Sequence, residues 1–301
     1  MASIEGDLMR KLILGLAALT MVAAACQPGA GEPEATFGAT LTCPWDQSDP
    51  TMRTFIVAGQ SNMVAANGNP GTLPTAYEAG TNAQLQMWDE GEWKPLALST
   101  ENKKDKLKYG PDLPFAWTLH AACPDSNIGI IKYAVGGTAI ERWVPSGDLG
   151  QELSARAQAA YFSHPDVTIE GFLFQQGGGD TQTREEAESW DEDYLSIVDF
   201  ARNTPGVAND LPFLHGTYRF DPFPDDFSAL DPDDYIGMAP GGRDFFFHML
   251  VSQWTVQYDR PGIYPVIHRD LPLKDDGIHW NSDGIRLAGQ NFAVAYTNEA
   301  N

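Results

Sequence analysis

Phe55-Ile56-Val57-Ala58-Gly59-Gln60-Ser61-Asn62 joins an apolar run to a short polar turn that carries a single serine. The run has the length and character of a buried strand, and the glycine behind it marks where that strand ends. In open α/β sheets ligands bind outside the carboxyl ends of the strands, so Ser61 stands where such folds keep their chemistry. Its bland reading is a capping serine at a strand-to-helix turn. The nucleophile elbow of α/β-hydrolases, Gly-x-Ser-x-Gly, does not account for it, because Met63 occupies the place of the second glycine.

Three further blocks come after it in order. Ile128 to Tyr133 reads as a buried strand that leads into Ala134-Val135-Gly136-Gly137-Thr138-Ala139-Ile140-Glu141-Arg142-Trp143. Glycines at such a place let the backbone approach a ligand and aim amide N–H groups at it. Another apolar run ends in Gln175-Gln176-Gly177-Gly178-Gly179-Asp180. Near the C-terminus, Asp275-Asp276-Gly277-Ile278-His279-Trp280 precedes a helical pattern that begins near Ser282. An Asp three residues before a His arises by chance with a probability of roughly 40% in such a chain, so its weight comes from its place after the other blocks.

Together the four blocks resemble those of the SGNH hydrolases, and specifically the carbohydrate esterases grouped with acetylxylan esterases and sialic-acid-specific acetylesterases. Gly59-Gln60-Ser61-Asn62-Met63 matches the first block, and Gly136-Gly137-Thr138 with the later Trp143 is similar to the second. Gln176, Gly177 and Asp180 fall on matching positions of Trp-His-Gln-Gly-Glu-x-Asp, while Phe174, Gln175 and Gly178 replace its Trp, His and Glu. Asp276-Gly277-Ile278-His279-Trp280 is similar to Asp-Gly-Leu-His-Phe.

The resemblance implies a flavodoxin-like three-layer α/β/α sandwich around a central parallel sheet. It also implies a serine esterase that removes O-acetyl groups from carbohydrate. Ser61 is then the nucleophile, His279 the general base and acid, and Asp276 the carboxylate that orients the ring. The expected oxyanion donors are the backbone N–H of Ser61, a backbone N–H of Gly136 or Gly137, and the side-chain amide of Gln176. Asn62 and Asp180 read as braces. Gly178 stands where relatives carry a Glu that can partner the histidine, which leaves that role to Asp276. Two other readings use the same residues: a serine esterase or lipase for longer acyl chains, and a lipid-anchored glycan-binding protein that has lost turnover.

The order of elements agrees with this class. Strands are expected at Thr54–Ala58, Ile128–Ala134, Thr168–Gln175, Pro212–Tyr218 and Ile263–Ile267, with helices near Leu113–Ala122, Leu149–Tyr161, Glu185–Asn203 and Phe245–Tyr258. Alternation of this kind means right-handed crossovers and a parallel sheet covered on both faces. The segment from Ala79 to Tyr109 reads as irregular and polar. Phe245-Phe246-Phe247 reads as core packing, since three consecutive rings on a helix cannot share one face. Trp143 and Trp280, beside the blocks, are candidates to line a sugar site.

Met9-Arg10-Lys11 followed by the apolar stretch Leu12 to Ala25 reads as an export signal, too short to span a bilayer. The small residues before Cys26 point to a bacterial lipoprotein signal, with Cys26 as the lipidated first residue and the only link to a membrane. Residues 27–42, rich in Pro, Gly, Ala and Glu, read as a flexible tether, and residues 43–301 as one esterase domain. Cys43 and Cys123 are left either to pair in an oxidising compartment or to remain separate thiols. A net charge of −22 argues against a nucleic-acid partner. Acetylated oligo- or polysaccharide is the expected partner. The Asp-Pro segments Asp221–Asp226 and Asp231–Asp234 lack the Gly and Glu of a calcium loop, so no metal and no cofactor is assigned.

Overall fold

The computed structural model describes residues 41–74, 77, 82–98, 108–204, 207–217, 231–239, 243–268 and 271–299. The export segment with Cys26, nearly all of the tether, and the run Asp221 to Asp226 lie outside the described residues.

β1 (Met52–Gly59) is buried at every residue but Arg53, as its unbroken apolar run requires. It lies at the middle of a seven-stranded sheet of order β3-β2-β4-β1-β5-β6-β7. The other strands are β2 (Leu85–Asp89), β3 (Glu92–Pro95), β4 (Asn127–Ala134), β5 (Val167–Gln175), β6 (Phe213–Gly216) and β7 (Ile263–Val266). All pair in parallel except the edge hairpin β2–β3. The register sets Gly59 level with Ala134 on one neighbour and with Gln175 on the other. Three of the four sequence blocks therefore leave the sheet side by side.

Helices cover both faces. Phe55, Val57, Leu173 and Leu214 pack with α1 (Asp112–Ala122) and with α6 (Ser282–Glu299), which comes after β7. Ile56, Phe172, Phe174 and Phe213 face α2 (Asp148–Ser163), α4 (Trp190–Arg202) and α5 (Phe246–Thr255). The result is the three-layer sandwich, with one edge strand running against the rest. Among the described residues no helix is long and apolar enough to cross a membrane.

Two local expectations are corrected. The segment before Tyr109 is not wholly irregular, because Leu85 and Met87 are buried on alternate positions of β2 and Glu90-Gly91 turn the chain into β3. Both turn residues have positive φ, 52° and 86°, the signature of a tight two-residue hairpin. The helix expected over Glu185–Asn203 is broken at Ser189 into α3 (Arg184–Glu188) and α4, and Thr183 caps α3 in a reciprocal box with Glu186.

Cys43 and Cys123 are joined, with Cα atoms 5.1 Å apart, so the segment ahead of β1 is stapled to the end of α1. The bridge spans a separation of 80 residues, and closing a loop of that size in the unfolded chain stabilises the fold by roughly 4–5 kcal/mol. Replacing both cysteines by serine is expected to lower the melting temperature by roughly 10 °C. Equal melting of the variant and the oxidised parent would contradict this.

Candidate active site

The turn after β1 is shaped by Gly59. Its φ is +132°, and a Cβ there would stand 2.2 Å from the carbonyl oxygen of Gln175, so only glycine lets β1 lie this close to β5 as it ends. The ladder continues one step further, with the Gln60 N–H donating to the Gln175 carbonyl at 2.9 Å. Ser61 is thereby delivered to the rim of the sheet.

The loop between β7 and α6 supplies the partners. Leu273 pairs with Trp280 in an antiparallel bridge, the Lys274 N–H donates to the His279 carbonyl at 2.8 Å, and Gly277 turns the chain with φ +69°. This small hairpin is tied to the serine turn by Asn62, whose Oδ1 accepts from the Trp280 N–H at 3.1 Å. Asn62 is a brace, as expected. His279 Nε2 lies 2.9 Å from Ser61 Oγ, and its Nδ1 lies 2.8 Å from Asp276 Oδ2. The other carboxylate oxygen of Asp276 accepts the N–H groups of Ile278 and His279, each at 2.9 Å. Partial burial pushes the Asp276 carboxyl up, but these two N–H donors and the imidazole outweigh it and leave its pKa at about 2.

Gly136 passes directly against the serine, since a Cβ on it would lie 3.6 Å from Ser61 Cβ. Gly136 and Gly137 both line a cleft of about 430 Å³ together with Ser61, Gly178, Gly179 and His279. Gly178 therefore lines this cleft without a side chain. A companion cleft of about 230 Å³ lies on the other side of Ser61 and His279 and is lined by Asn67, Gly136 and Lys274.

Gln176 is not at the reacting end of the site, which corrects the expectation of an oxyanion donor. Its side chain is buried beneath the loops. Its Nε2 donates to the Thr138 carbonyl at 2.9 Å and to Asp180 Oδ2 at 2.6 Å, and its Oε1 accepts from the Trp190 indole at 2.7 Å. With both N–H groups engaged it has none to offer a substrate. Asp180, which also accepts from the Ile140 N–H at 2.7 Å, completes a brace between the second and third blocks. Trp143 and Trp280 are corrected as well. Both are buried, Trp143 bonded to Thr138 and Trp280 stacked edge-on to His268, so neither lines a sugar site. Arg243 and Lys274, which line the two clefts, were not found from sequence, because neither belongs to a block and no periodic signal marks them.

Below the site three buried groups titrate away from their usual values. Burial pushes Asp180 up to about 7, and pushes His215 and His268 down to about 4 and about 3. The two histidines have folded pKa values below their unfolded value of about 6.5, so the unfolded chain takes up more protons as pH falls below that point. Each then removes about 1.4 kcal/mol of stability per pH unit. Asp180, raised in the fold, acts in the opposite sense between its ordinary value near 4 and about 7. Stability is therefore expected to peak near pH 6.5 and to fall towards pH 4.5 with a net slope of about one group. In Asp180→Asn the slope should nearly double. Thermal melting across this range reads both, and an unchanged slope in the variant would refute the assignment.

A third cleft, of about 230 Å³ between α2 and α4, is lined by apolar residues such as Ile56, Leu153 and Phe172 and has no carboxylate, imidazole or cation. It offers nothing for acyl transfer.

A serine at the carboxyl end of the central strand, hydrogen-bonded to a histidine from the last loop of a doubly wound sheet, defines a carboxylic ester hydrolase of the SGNH type. Residues 51–298 match the model of the carbohydrate esterase, sialic acid-specific acetylesterase family, and the chain belongs to that family as a carbohydrate acetylesterase. The Arabidopsis thaliana protein named probable carbohydrate esterase At4g34215 is 22% identical over 265 residues, covering 82% of this chain and 91% of its own. Its crystal structure superposes with a TM-score of 0.67 at 19% identity, over 84% of this chain and all of that one. The structure of XAC1771, a carbohydrate acetylesterase from Xanthomonas citri, gives a TM-score of 0.56 at 20% identity over 82% of this chain and 56% of its own. That of NanS gives 0.60 at 17% identity, over 83% and 98%. At such identities the structures share the fold.

Proposed function

We propose that the protein is an exported serine esterase that removes O-acetyl groups from carbohydrate through Ser61, His279 and Asp276. The observation that carries this reading is the unbroken chain of hydrogen bonds from Ser61 Oγ through both ring nitrogens of His279 to Asp276. Ser61 Oγ attacks the acetyl carbonyl carbon while His279 Nε2 takes the hydroxyl proton. The carbonyl electron pair becomes an oxyanion, for which the N–H groups of Ser61 and of Gly136 or Gly137 are the donors. Collapse breaks the bond to the sugar oxygen, which leaves with the proton returned by His279. Water, deprotonated by His279, then releases acetate from Ser61 by the same steps in reverse. Asp276, ionised at any pH well above 2, holds the ring with Nδ1–H inward and stabilises its charged form.

Export is supported by the Cys43–Cys123 bridge, a bond that persists in oxidising compartments. The reading assigns residues 1–26 to a lipoprotein signal with the anchor at Cys26, and residues 27–42 to a tether. The test is acetate release from acetylated xylo-oligosaccharide and from a chromogenic acetyl ester by residues 43–301. Failure to hydrolyse any short-chain ester, with the protein folded, would overturn the proposal.

A further inference from the structure

We propose that the cleft between α2 and α4 is a binding slot for a single alkyl chain carried by a free, uncharged amphiphile. This function is separate from ester hydrolysis and does not depend on it. The cleft has a volume of about 230 Å³ and reaches down to the sheet, where Ile56, Ile169 and Phe172 line it. Protein interiors are packed to the density of organic crystals, so an apolar gap of this size against the core is an exception. An engineered apolar cavity of about 150 Å³ stays dry and takes up benzene, and this one is larger.

Its shape follows α2. Gly150, Leu153, Ala157 and Tyr161 line it from successive turns of that helix, and Phe162 ends the row. From Gly150 to Phe162 the helix rises about 18 Å. A cavity of this volume drawn out over such a length is narrow, with room for one hydrocarbon chain and not for a stack of rings.

The wall is chemically plain. Among the described residues no charged side chain lines it. Gln158 Nε2 donates to Ser154 Oγ at 3.1 Å, Thr204 Oγ1 to the Phe200 carbonyl at 3.1 Å, and the Trp143 indole to Thr138 at 3.0 Å. These donors of the wall are thus already bonded within the protein, and a ligand meets hydrocarbon nearly throughout. Phe162 and Phe200 also line the cleft, yet they are 73% and 41% exposed, and no other phenylalanine among the described residues is comparably exposed. The Tyr161 ring meets Phe162 edge to face at 5.1 Å, which makes the lip aromatic. A chain entering past these rings covers apolar surface that water now touches.

The head group stays outside. A surface of net charge −22 repels a carboxylate or sulfate head, and the lining holds no carboxylate to pair with a cationic one. The head is therefore neutral, as in an alkyl glycoside.

The test is calorimetric titration of alkyl maltosides from hexyl to tetradecyl, below their micellar concentrations, into the parent, Phe162→Ser, Ala157→Phe and Ser61→Ala. One molecule should bind per protein with a negative heat-capacity change. Affinity should rise about fourfold per added methylene and level off once the chain outgrows the slot. Phe162→Ser alters an exposed ring and should melt like the parent, yet weaken binding severalfold. Ala157→Phe fills the slot and should weaken it about tenfold or more. Ser61→Ala should bind as the parent does, and maltose alone should not bind. Octyl sulfate should bind more weakly than octyl maltoside. No binding at any chain length, an affinity that climbs without levelling, or equal binding by the parent and Phe162→Ser overturns the proposal. Equal affinity for octyl sulfate overturns the uncharged head, and maltose binding as tightly as its alkyl derivatives moves the contact to the sugar and overturns the slot.

Discussion

Ser61→Ala is expected to lower kcat for acetate release by about 10⁴-fold or more while the protein melts at nearly the parental temperature. In the proposed mechanism the oxygen removed is the one that bonds to the acyl carbon. Asn62, Gln60 and the Gly136 backbone surround it but none is a nucleophile in reach of His279. The fold should tolerate the change, because the hydroxyl makes one hydrogen bond to a part-exposed ring and fills no core space. His279→Ala is expected to cost about as much. The double variant should be no worse than either single one, since a proton acceptor is useless without the hydroxyl it serves. Steady-state acetate release alongside thermal melting checks all three. Activity of Ser61→Ala above about one part in a hundred of the parent would remove Ser61 from the mechanism.

Asp276→Asn should lower kcat by roughly 10²- to 10⁴-fold with little change in KM. The amide oxygen can still accept the N–H groups of Ile278 and His279, so the hairpin keeps its shape. What is lost is the negative charge facing His279 Nδ1, and with it the ring tautomer that leaves Nε2 free to take the serine proton. In this chain the loss has no reserve. Among the described residues no other carboxylate is hydrogen-bonded to His279. A fall of less than about fivefold would mean that Asp276 only shapes the loop.

The strands and most helices were legible because each is a continuous local pattern. β1, β4 and β5 are unbroken apolar runs, buried on both faces as parallel central strands are, and their ends fall within about two residues of the expectation. The β2–β3 hairpin was missed because only Leu85 and Met87 of it are buried, and two apolar residues do not outweigh the polar ones around them. The break at Ser189 was missed because it is a change in backbone hydrogen bonding, made without a side-chain cap at Ser189, and not a change of composition.

The site divides along the same line. Ser61, Asp276 and His279 were legible as residues, since a turn glycine, a serine behind a strand and an Asp-x-x-His spacing are readable in one dimension. The same logic misassigned Gln176, Trp143 and Trp280. A side chain's position in a block says that it is near the chemistry, not which way it points, and all three point into the protein.

Local pattern in the sequence was enough for the alternation that makes a doubly wound sheet, for the strand whose end carries Ser61, and for the spacing that lets one short loop hold both Asp276 and His279. Those arise from local backbone preference and from burial patterns, which neighbours in the chain settle among themselves. Only the tertiary structure decided that residues 218 apart meet at 2.9 Å, that Gln176 braces while Gly136 faces the serine, and that Arg243 lines the cleft. Those depend on the register of β1 between β4 and β5 and on how the last loop folds back, which are set by packing across the sheet.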